Sequence, residues 1–318
     1  MNFKKNVVLA KYTTFKIGGP AKLFVEIVDE NELLNVFDWA KKKKEKILIL
    51  GGGSNMLISD KGFDGVVVKV NNTEYEILKK HSDYIDIKCG AGIVLTKLAL
   101  DLARDGIGGL EWAVGIPRAT IGGAIRGNAG AFGTSMSKLV KNVECFLVRE
   151  KKFKVFSNQK CEFVYRGSIF KSNKDILIWA TVLRLKKRNK DIAKKEIDEK
   201  ILYRRRHHPT MPSAGSVFKN TATIQKIRKH SSQLADYIVK NGIVNDNGIV
   251  ATGFLVEELG LKGKKIGGAK ISEEHGNFII NTGNATAEDV IILMSLIKQK
   301  VRDKFGVQLE EEIQLVGF

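Results

Sequence analysis

The densest glycine run in the chain is Gly115-Ile-Pro-Arg-Ala-Thr-Ile-Gly-Gly-Ala-Ile-Arg-Gly-Asn-Ala-Gly-Ala-Phe-Gly133. Six of its 19 residues are glycine. Each glycine weakens a regular element by roughly 0.5–1 kcal/mol relative to alanine. A stretch this costly reads as backbone that must approach a ligand closely. A glycine-rich loop lying on a sheet is the other reading. A second glycine cluster precedes it, Gly51-Gly-Gly-Ser-Asn55, directly after the apolar run Ile47-Leu-Ile-Leu50. Consecutive residues without Cβ can take positive φ and turn their N–H groups toward one point, a nest suited to pyrophosphate. An ordinary tight turn is the alternative. No Gly-Lys-Ser/Thr follows, so this is not a Walker A loop, and no GxGxxG is present. Two such segments, separated by strands and a helix, imply one extended ligand with phosphates at its middle. A dinucleotide fits, and the spacing does not choose between flavin and nicotinamide.

Outward from these clusters the pattern alternates strands and helices. Leu23–Val28, Val66–Val70 and Tyr84–Lys88 read as strands, and Ile47–Leu50 as a buried one. Residues 29–44 and 94–104 carry apolar side chains at helical spacing. Further strands are expected at 143–149, 152–156 and 176–185. Residues 184–206 hold 11 basic and four acidic side chains and read as a solvated helix over 191–205. Beyond His208-Pro209, helices are expected over 224–240 and 252–259. A long helix begins at Thr286 with Asp289 in a capping box and buries Val290, Ile291, Met294, Ile297 and Val301. A strand over 308–316 closes the chain. The class is α+β, in three sections: 1–70, 71–205 and 206–318.

Composition narrows the partners. The 318 residues carry 53 Lys plus Arg against 35 Asp plus Glu, a formal charge of +18. That favours anionic ligands. Hydrophobic residues at 43% give enough apolar mass for a core. A nucleic-acid protein would interleave aromatic side chains with its basic runs. Aromatics are 8% of the chain, and the runs at 41–46 and 184–206 contain only Tyr203, so no nucleic acid is expected. Cys89, Cys145 and Cys161 are far apart, which argues against disulfides and a cysteine zinc site. Adjacent His207-His208 rarely converge on one ion, and no metal is expected; His81 and His275 read as core or surface polar residues. Val7–Ala10 is too short for a signal-peptide core, and no window approaches ~18 apolar residues. A soluble cytoplasmic protein without membrane attachment is the reading.

Taken in order, several motifs resemble one family. They are Thr14-Phe-x-Ile-Gly-Gly-Pro-Ala21, Gly51-Gly-Gly-Ser-Asn55, Gly115-Ile-Pro117, Gly122-Gly-Ala124 and Asn128-Ala-Gly-Ala-Phe-Gly133. Tyr165-Arg-Gly-Ser-Ile-Phe-Lys171, Pro212-Ser-Ala-Gly-Ser-Val-Phe-Lys-Asn220, Leu261-Lys-Gly-x-x-x-Gly-Gly-Ala269 and Glu312-Ile-Gln-Leu-Val-Gly317 follow. The set is similar to the UDP-N-acetylenolpyruvoylglucosamine reductases, flavoproteins of peptidoglycan precursor synthesis and hence of cell-wall biogenesis. The resemblance implies a vanillyl-alcohol-oxidase (PCMH)-type FAD-binding domain of two subdomains, 1–70 and 71–205, and an α+β substrate-binding domain, 206–318. It implies non-covalent FAD, NADPH as co-substrate, a UDP-sugar substrate and a monomer. The Arg166-to-Ser216 spacing leaves no room for an extra subdomain and points to the family's second, shorter branch.

The same resemblance assigns roles. FAD would be held by Gly51, Gly52, Gly53, Ser54, Asn55, Gly115, Ile116, Pro117, Gly122, Gly123, Ala124, Asn128, Ala129, Gly130 and Tyr165. Arg166 matches the arginine at the enolpyruvyl carboxylate, Ser216 the proton donor and Glu312 the assisting glutamate. Lys219 and Asn220 match substrate-binding residues, Lys219 facing the diphosphate. Hydride addition pushes electrons onto the enolpyruvyl carboxylate, which calls for a fixed cation; guanidinium matches a carboxylate bidentately. A serine hydroxyl is a weak acid, but the enolate carbon is a strong base, so a positioned serine suffices. Two departures stand out. Arg118 replaces a glycine after Gly-Ile-Pro, asking for a different backbone conformation, and its charge would supplement the pyrophosphate nest; Gly127 likewise replaces a larger residue. Residues 222–246 look inserted and are expected to form a basic flap. Another flavin oxidase of the same fold is the runner-up, disfavoured by the motifs at 212–220 and 312–317.

Overall fold

A computed structural model describes residues 2–318; Met1, in the basic N-terminal run, lies outside them. The described residues form two compact units. One comprises residues 2–7, Ala21–Gly53 and Asp64–Arg204; the other comprises Val8–Pro20, Ser54–Phe63 and Arg205–Phe318. The sections 1–70 and 71–205 thus share one hydrophobic core, running from Val25 to Ile197. Residues 8–20 and 54–63 go instead with the carboxyl-terminal section, where Phe15, Ile17 and Leu57 join its separate core.

In the first unit a four-stranded sheet has the order Lys4–Val8, Pro20–Ile27, Phe63–Val70, Ile47–Leu50. Ile47–Leu50 runs parallel to Phe63–Val70 and lies at the sheet edge. It is therefore not the buried strand its apolar run predicts: only Leu50 is buried, and Ile49 is exposed. Helix Glu30–Lys43 begins where Asp29 accepts the Glu32 N–H at 2.8 Å, with Glu32 reaching back to the Val28 N–H. Three lysines close its last turn, where they complement the helix dipole. The second sheet has the antiparallel order Lys152–Ser157, Val140–Leu147, Ile176–Lys187, Tyr84–Gly90, Tyr75–Lys80, with Ile107–Gly108 also on Ile176–Lys187. The strand Tyr75–Lys80 is exposed throughout and gives no alternating pattern.

One buried carboxylate ties this sheet together. Asp86 is 2% exposed. It accepts from Arg184 Nε and Nη2 at 2.8 and 3.0 Å, Lys141 Nζ at 2.9 Å and His81 at 3.4 Å. The Arg184 guanidinium foremost, with Lys141 and His81, holds its carboxyl well below the ordinary carboxylate range against the opposing effect of burial. The three cysteines are buried and carry free thiols. Burial pushes Cys89 and Cys161 each up to about 12.

The second unit is built on an antiparallel sheet of Ser213–Ser216, Phe278–Asn281, Ala269–Ile271 and Lys265–Ile266. Helix Ala287–Phe305 packs on it. Thr286 and Asp289 form the expected capping box, and both Asp60 oxygens accept the Ala287 N–H. Its buried stripe is Val290, Leu293, Met294, Ile297, Val301 and Phe305, with Ile291 half-buried. Two expectations change. The helix over 224–240 is two helices, Ile224–His230 and Ser232–Lys240. Ser231 breaks it, because its hydroxyl caps the second by accepting the Leu234 N–H. The segment packs on the second unit through Ile227, Ala235 and Ile238, which are fully buried in its core. The closing strand is only Gln314–Val316, parallel to Met56–Ile58, preceded by an isolated bridge from Glu311 to Phe218. Among the described residues no helix is long and apolar enough to cross a membrane.

Replacing Asp86 by Asn tests the sheet tie. Its partners are partly exposed, which discounts the loss to about 2 kcal/mol at pH 7, read from urea unfolding. The folded-state carboxyl titrates below its unfolded value near ~3.9, so the contribution is present above that pH and lost as pH falls through the depressed folded value. The gap between wild type and Asp86→Asn should therefore narrow below about pH 4.

Candidate active site

The two glycine segments of the first unit lie against each other. A Cβ on Gly52 would sit 1.4 Å from the Arg118 carbonyl oxygen, and one on Gly51 would sit 2.6 Å from Thr120 Oγ1. These glycines are required by close approach of backbones and not by a run of positive φ. Of the three, only Gly53 is left-handed, at φ 65°. Arg118 is also left-handed, at φ 55°. The side chain there has not changed the backbone from the conformation that favours glycine, contrary to the sequence expectation, and the arrangement carries a cost of about 1–2 kcal/mol. Thr120 caps the helix Ile121–Arg126 inside the second segment, so Gly122, Gly123 and Ala124 are helical rather than loop. Lys69 adds a cation the motifs did not single out: its Nζ donates to the Gly51 carbonyl at 3.4 Å, and burial lowers its pKa. The signal was a lysine interrupting Val66-Val-Val-Lys-Val70.

A groove of about 490 Å³ borders this junction. Ile116, Pro117 and Leu100 give it apolar walls, and Lys97, Arg104 and Arg118 give it positive charge. Nearby, Trp112 Nε1 and Arg204 Nε are buried donors without a hydrogen-bond partner among the described residues. Asp101 also lines the groove and pairs with Arg104 at 3.3 Å, which leaves Lys97 and Arg118 with the close backbones and apolar walls as the features that fit a dinucleotide carrying a pyrophosphate. The basic helix Lys190–His207 is not only a solvated face. Arg204 Nη2 donates to the Trp112 carbonyl at 3.1 Å, and Lys200 Nζ stands 4.4 Å from the Phe132 ring centroid.

Arg166 stands on a tight turn, where Val164 and Gly167 exchange two backbone hydrogen bonds at 3.1 Å. It adopts φ 55°, a left-handed arginine held in place by its surroundings. Its Nη1 donates to the Gly130 carbonyl at 3.1 Å, and Lys171 Nζ donates to the Arg166 carbonyl at 3.0 Å. Asn128 Nδ2 donates to the Val164 carbonyl, and Asn128 Oδ1 accepts the Ser137 N–H. Within this unit, then, the Asn128–Gly130 backbone and Arg166 form one assembly. Ala129 helps to shape it by donating its N–H to the Ala124 carbonyl. Tyr165 is exposed beside the guanidinium, 5.3 Å from its ring centroid to Arg166 Cζ.

The second unit assembles Ser216, Lys219, Asn220 and Glu312 with Asn55. Residues 217–219 run antiparallel to 310–312. The Glu312 N–H donates to the Val217 carbonyl at 2.8 Å, and the Lys219 N–H donates to the Glu310 carbonyl at 2.9 Å. Asn55 Nδ2 donates to the Glu312 carbonyl at 3.2 Å, and the Asn55 carbonyl accepts the Gln314 N–H. Ser54 and Asn55 therefore belong to the carboxyl-terminal core, although Gly51–Gly53 belong to the first. The acidic triplet sorts by partner: Glu310 takes Lys219 at 2.9 Å and Glu311 takes Lys298 at 2.6 Å. Burial raises the Glu311 carboxyl, but the Lys298 hydrogen bond and neighbouring charge bring it below its ordinary value. Of the three, Glu312 pairs through its backbone with Val217, the residue directly after Ser216. Ser216 is half-buried at the end of its strand, after Gly215 at φ 80°. Asn220 Oδ1 accepts the Thr252 N–H and the Lys219 carbonyl accepts Thr252 Oγ1, closing the base of segment 222–250.

Comparison with known proteins follows this division. Residues 207–316 match the family model described as UDP-N-acetylenolpyruvoylglucosamine reductase, C-terminal domain. Residues 21–151 match a FAD binding domain. The UDP-N-acetylenolpyruvoylglucosamine reductase of Anoxybacillus flavithermus is 37% identical over 315 residues, covering 99% of this chain and 94% of that one. That of Caldanaerobacter subterraneus is 38% identical over 313 residues, covering 98% and 93%. The crystal structure of the reductase from Thermus caldophilus matches with a TM-score of 0.77 at 30% identity, covering 99% of each chain. The chain thus carries an FAD-binding domain within an α+β fold. The protein belongs to the UDP-N-acetylenolpyruvoylglucosamine reductase family of FAD-containing oxidoreductases.

Proposed function

We propose that the protein reduces UDP-N-acetylglucosamine enolpyruvate to UDP-N-acetylmuramate with NADPH, acting as a cytoplasmic monomer with non-covalent FAD. The observation that carries this reading is the position of Glu312. Its backbone is hydrogen-bonded to the Ser216 segment through Val217 and to Asn55 of the flavin motif. These bonds bring the Glu312 backbone to the segments that carry Ser216 and the flavin motif. The names of the relatives support the substrate.

FAD, when bound, supplies hydride transfer from NADPH to the methylene carbon of the enolpyruvyl ether. Gly51–Gly53, Ser54, Asn55, Gly115–Pro117, Gly122–Ala124, Asn128–Gly130 and Tyr165 hold the cofactor, and Lys69 and Arg118 set positive charge by its phosphates. Arg166 meets the substrate carboxylate. As hydride adds, negative charge grows on that carboxylate, and a preorganised guanidinium stabilises it without reorganising. Gly130 and the turn at 164–167 keep the guanidinium aimed. Ser216 gives its hydroxyl proton to the carbon next to the carboxylate. Glu312 orients the reacting group and stabilises its enol form. Lys219 exchanges Glu310 for the UDP diphosphate, an exposed ion pair that is weak enough to give way. Asn220, oriented by Thr252, completes the UDP-sugar site.

Three variants test these roles. Anaerobic Ser216→Ala should be reduced by NADPH at about the wild-type rate, yet its reoxidation by the enolpyruvyl UDP-sugar should slow by about 100-fold or more. Loss of both steps, or of neither, contradicts the assignment. Arg166→Lys keeps the charge but not the two-pronged match to a carboxylate, so kcat/KM for the UDP-sugar should fall about 100-fold in steady-state assays. Arg118→Gly removes the left-handed cost and should raise the melting temperature of the FAD-free protein. The same change should weaken FAD by about tenfold in a fluorescence titration, since one charged partner is lost. Equal or tighter FAD binding would sink the proposed phosphate role of Arg118.

A further inference from the structure

We propose that Asn277 is a positioning residue of this reaction, fixing the Ser216 segment against the Glu312 segment. The proposal rests on the reductase reading. Asn277 is 3% exposed and directly precedes the strand Phe278–Asn281. Its Oδ1 accepts the Phe218 N–H at 3.0 Å, and its Nδ2 donates to the Phe218 carbonyl at 2.8 Å. Its own carbonyl accepts the Val217 N–H at 2.8 Å. One residue therefore takes up three backbone groups of the segment between Ser216 and Lys219, the fourth, the Val217 carbonyl, going to the Glu312 N–H.

The need for such a clamp follows from the topology. Ser216 is the last residue of its strand to pair, opposite Phe278, and the register is irregular between Ser213 and Ser216. Gly215 beside it takes φ 80°, and a Cβ there would meet nothing within 4 Å. The sheet alone leaves the direction of Ser216 loosely specified. Just after it, the chain leaves this sheet and pairs on its other edge with 310–312, through Val217, the Phe218–Glu311 bridge and Lys219. Phe218 is fully buried at that crossing, so its N–H and carbonyl have no water to turn to. The Asn277 amide stands in for the missing strand there. Both ends of the amide are committed, which defines its orientation. His275 Nδ1 in turn accepts the Asn277 N–H at 3.1 Å, anchoring the clamp from behind. Every one of these contacts lies on the path from Ser216 to Glu312, and none involves the glycine segments of the first unit. The predicted defect is therefore confined to the half-reaction with the UDP-sugar.

The test uses the FAD-loaded enzyme and anaerobic rapid mixing. Asn277→Asp keeps an acceptor for the Phe218 N–H and places a carboxylate against the Phe218 carbonyl; Asn277→Ala removes both contacts. Each should be reduced by NADPH within about twofold of wild type and reoxidised by the enolpyruvyl UDP-sugar about tenfold or more slowly. Asn277→Ser, which retains one short polar group, should fall between wild type and Asn277→Ala. Reoxidation within about twofold of wild type overturns the proposal. So does an equal fall in both steps, or failure of all three variants to fold, since either makes the residue a structural one. If wild type itself passes no hydride to the UDP-sugar, the reductase reading fails and the Asn277 assignment falls with it, whereas a working wild type with unaffected variants overturns the Asn277 assignment alone.

Discussion

The Arg118 carbonyl occupies the place where a side chain on residue 52 would begin, 1.4 Å from an ideal Cβ. Any residue but glycine there would drive the two loops of the first unit apart. Their contact sets Gly51–Gly53 beside Arg118–Thr120, brings Lys69 to the Gly51 carbonyl and places the groove by Ile116 and Pro117 next to both. The second loop also carries Gly130, on whose carbonyl Arg166 rests. One steric requirement thus organises the cofactor cradle and the cation assigned to the substrate carboxylate. The left-handed backbone at Arg118 and Arg166 is the strain that this arrangement tolerates.

The second unit depends on a different device, a segment shared between two edges. Residues 217–219 are held by Asn277 on one side and by 310–312 on the other. The acidic triplet is part of this device: Glu310 and Glu311 spend their carboxylates on Lys219 and Lys298. The segment between Asn220 and Thr252 begins and ends at the same place, stapled by Thr252 to Lys219 and Asn220. Its buried Ile227, Ala235 and Ile238 make it part of the core, and its basic side chains add to the surplus charge without entering any motif.

Much of this was legible in the sequence because the signals were local. Apolar spacing over 29–44 and the capping box at Thr286 announce their helices, and the glycine clusters announce close backbones. The misreadings have physical causes. Ile47–Leu50 is apolar yet lies at a sheet edge, which hydropathy does not reveal. Ser231 splits a helix because a hydroxyl can cap as readily as it can sit within. Tyr75–Lys80 pairs as a fully exposed strand and so lacks an alternating face. Gly122–Ala124 is helical because Thr120 caps it despite the glycines. At the site, the order of motifs pointed to Arg166, Ser216 and Glu312. Lys69 and Asn277 escaped notice because their roles arise from pairing across distant segments.

The central claim is that these residues serve one reductive reaction, and the wild-type holoenzyme tests it directly. Absorbance near the flavin band is followed anaerobically while NADPH and then the enolpyruvyl UDP-sugar are added. The account predicts a yellow protein that is bleached by the first addition and recoloured by the second, with one equivalent of the lactyl ether formed. A colourless protein, or one that is bleached but not recoloured by the UDP-sugar, would contradict it.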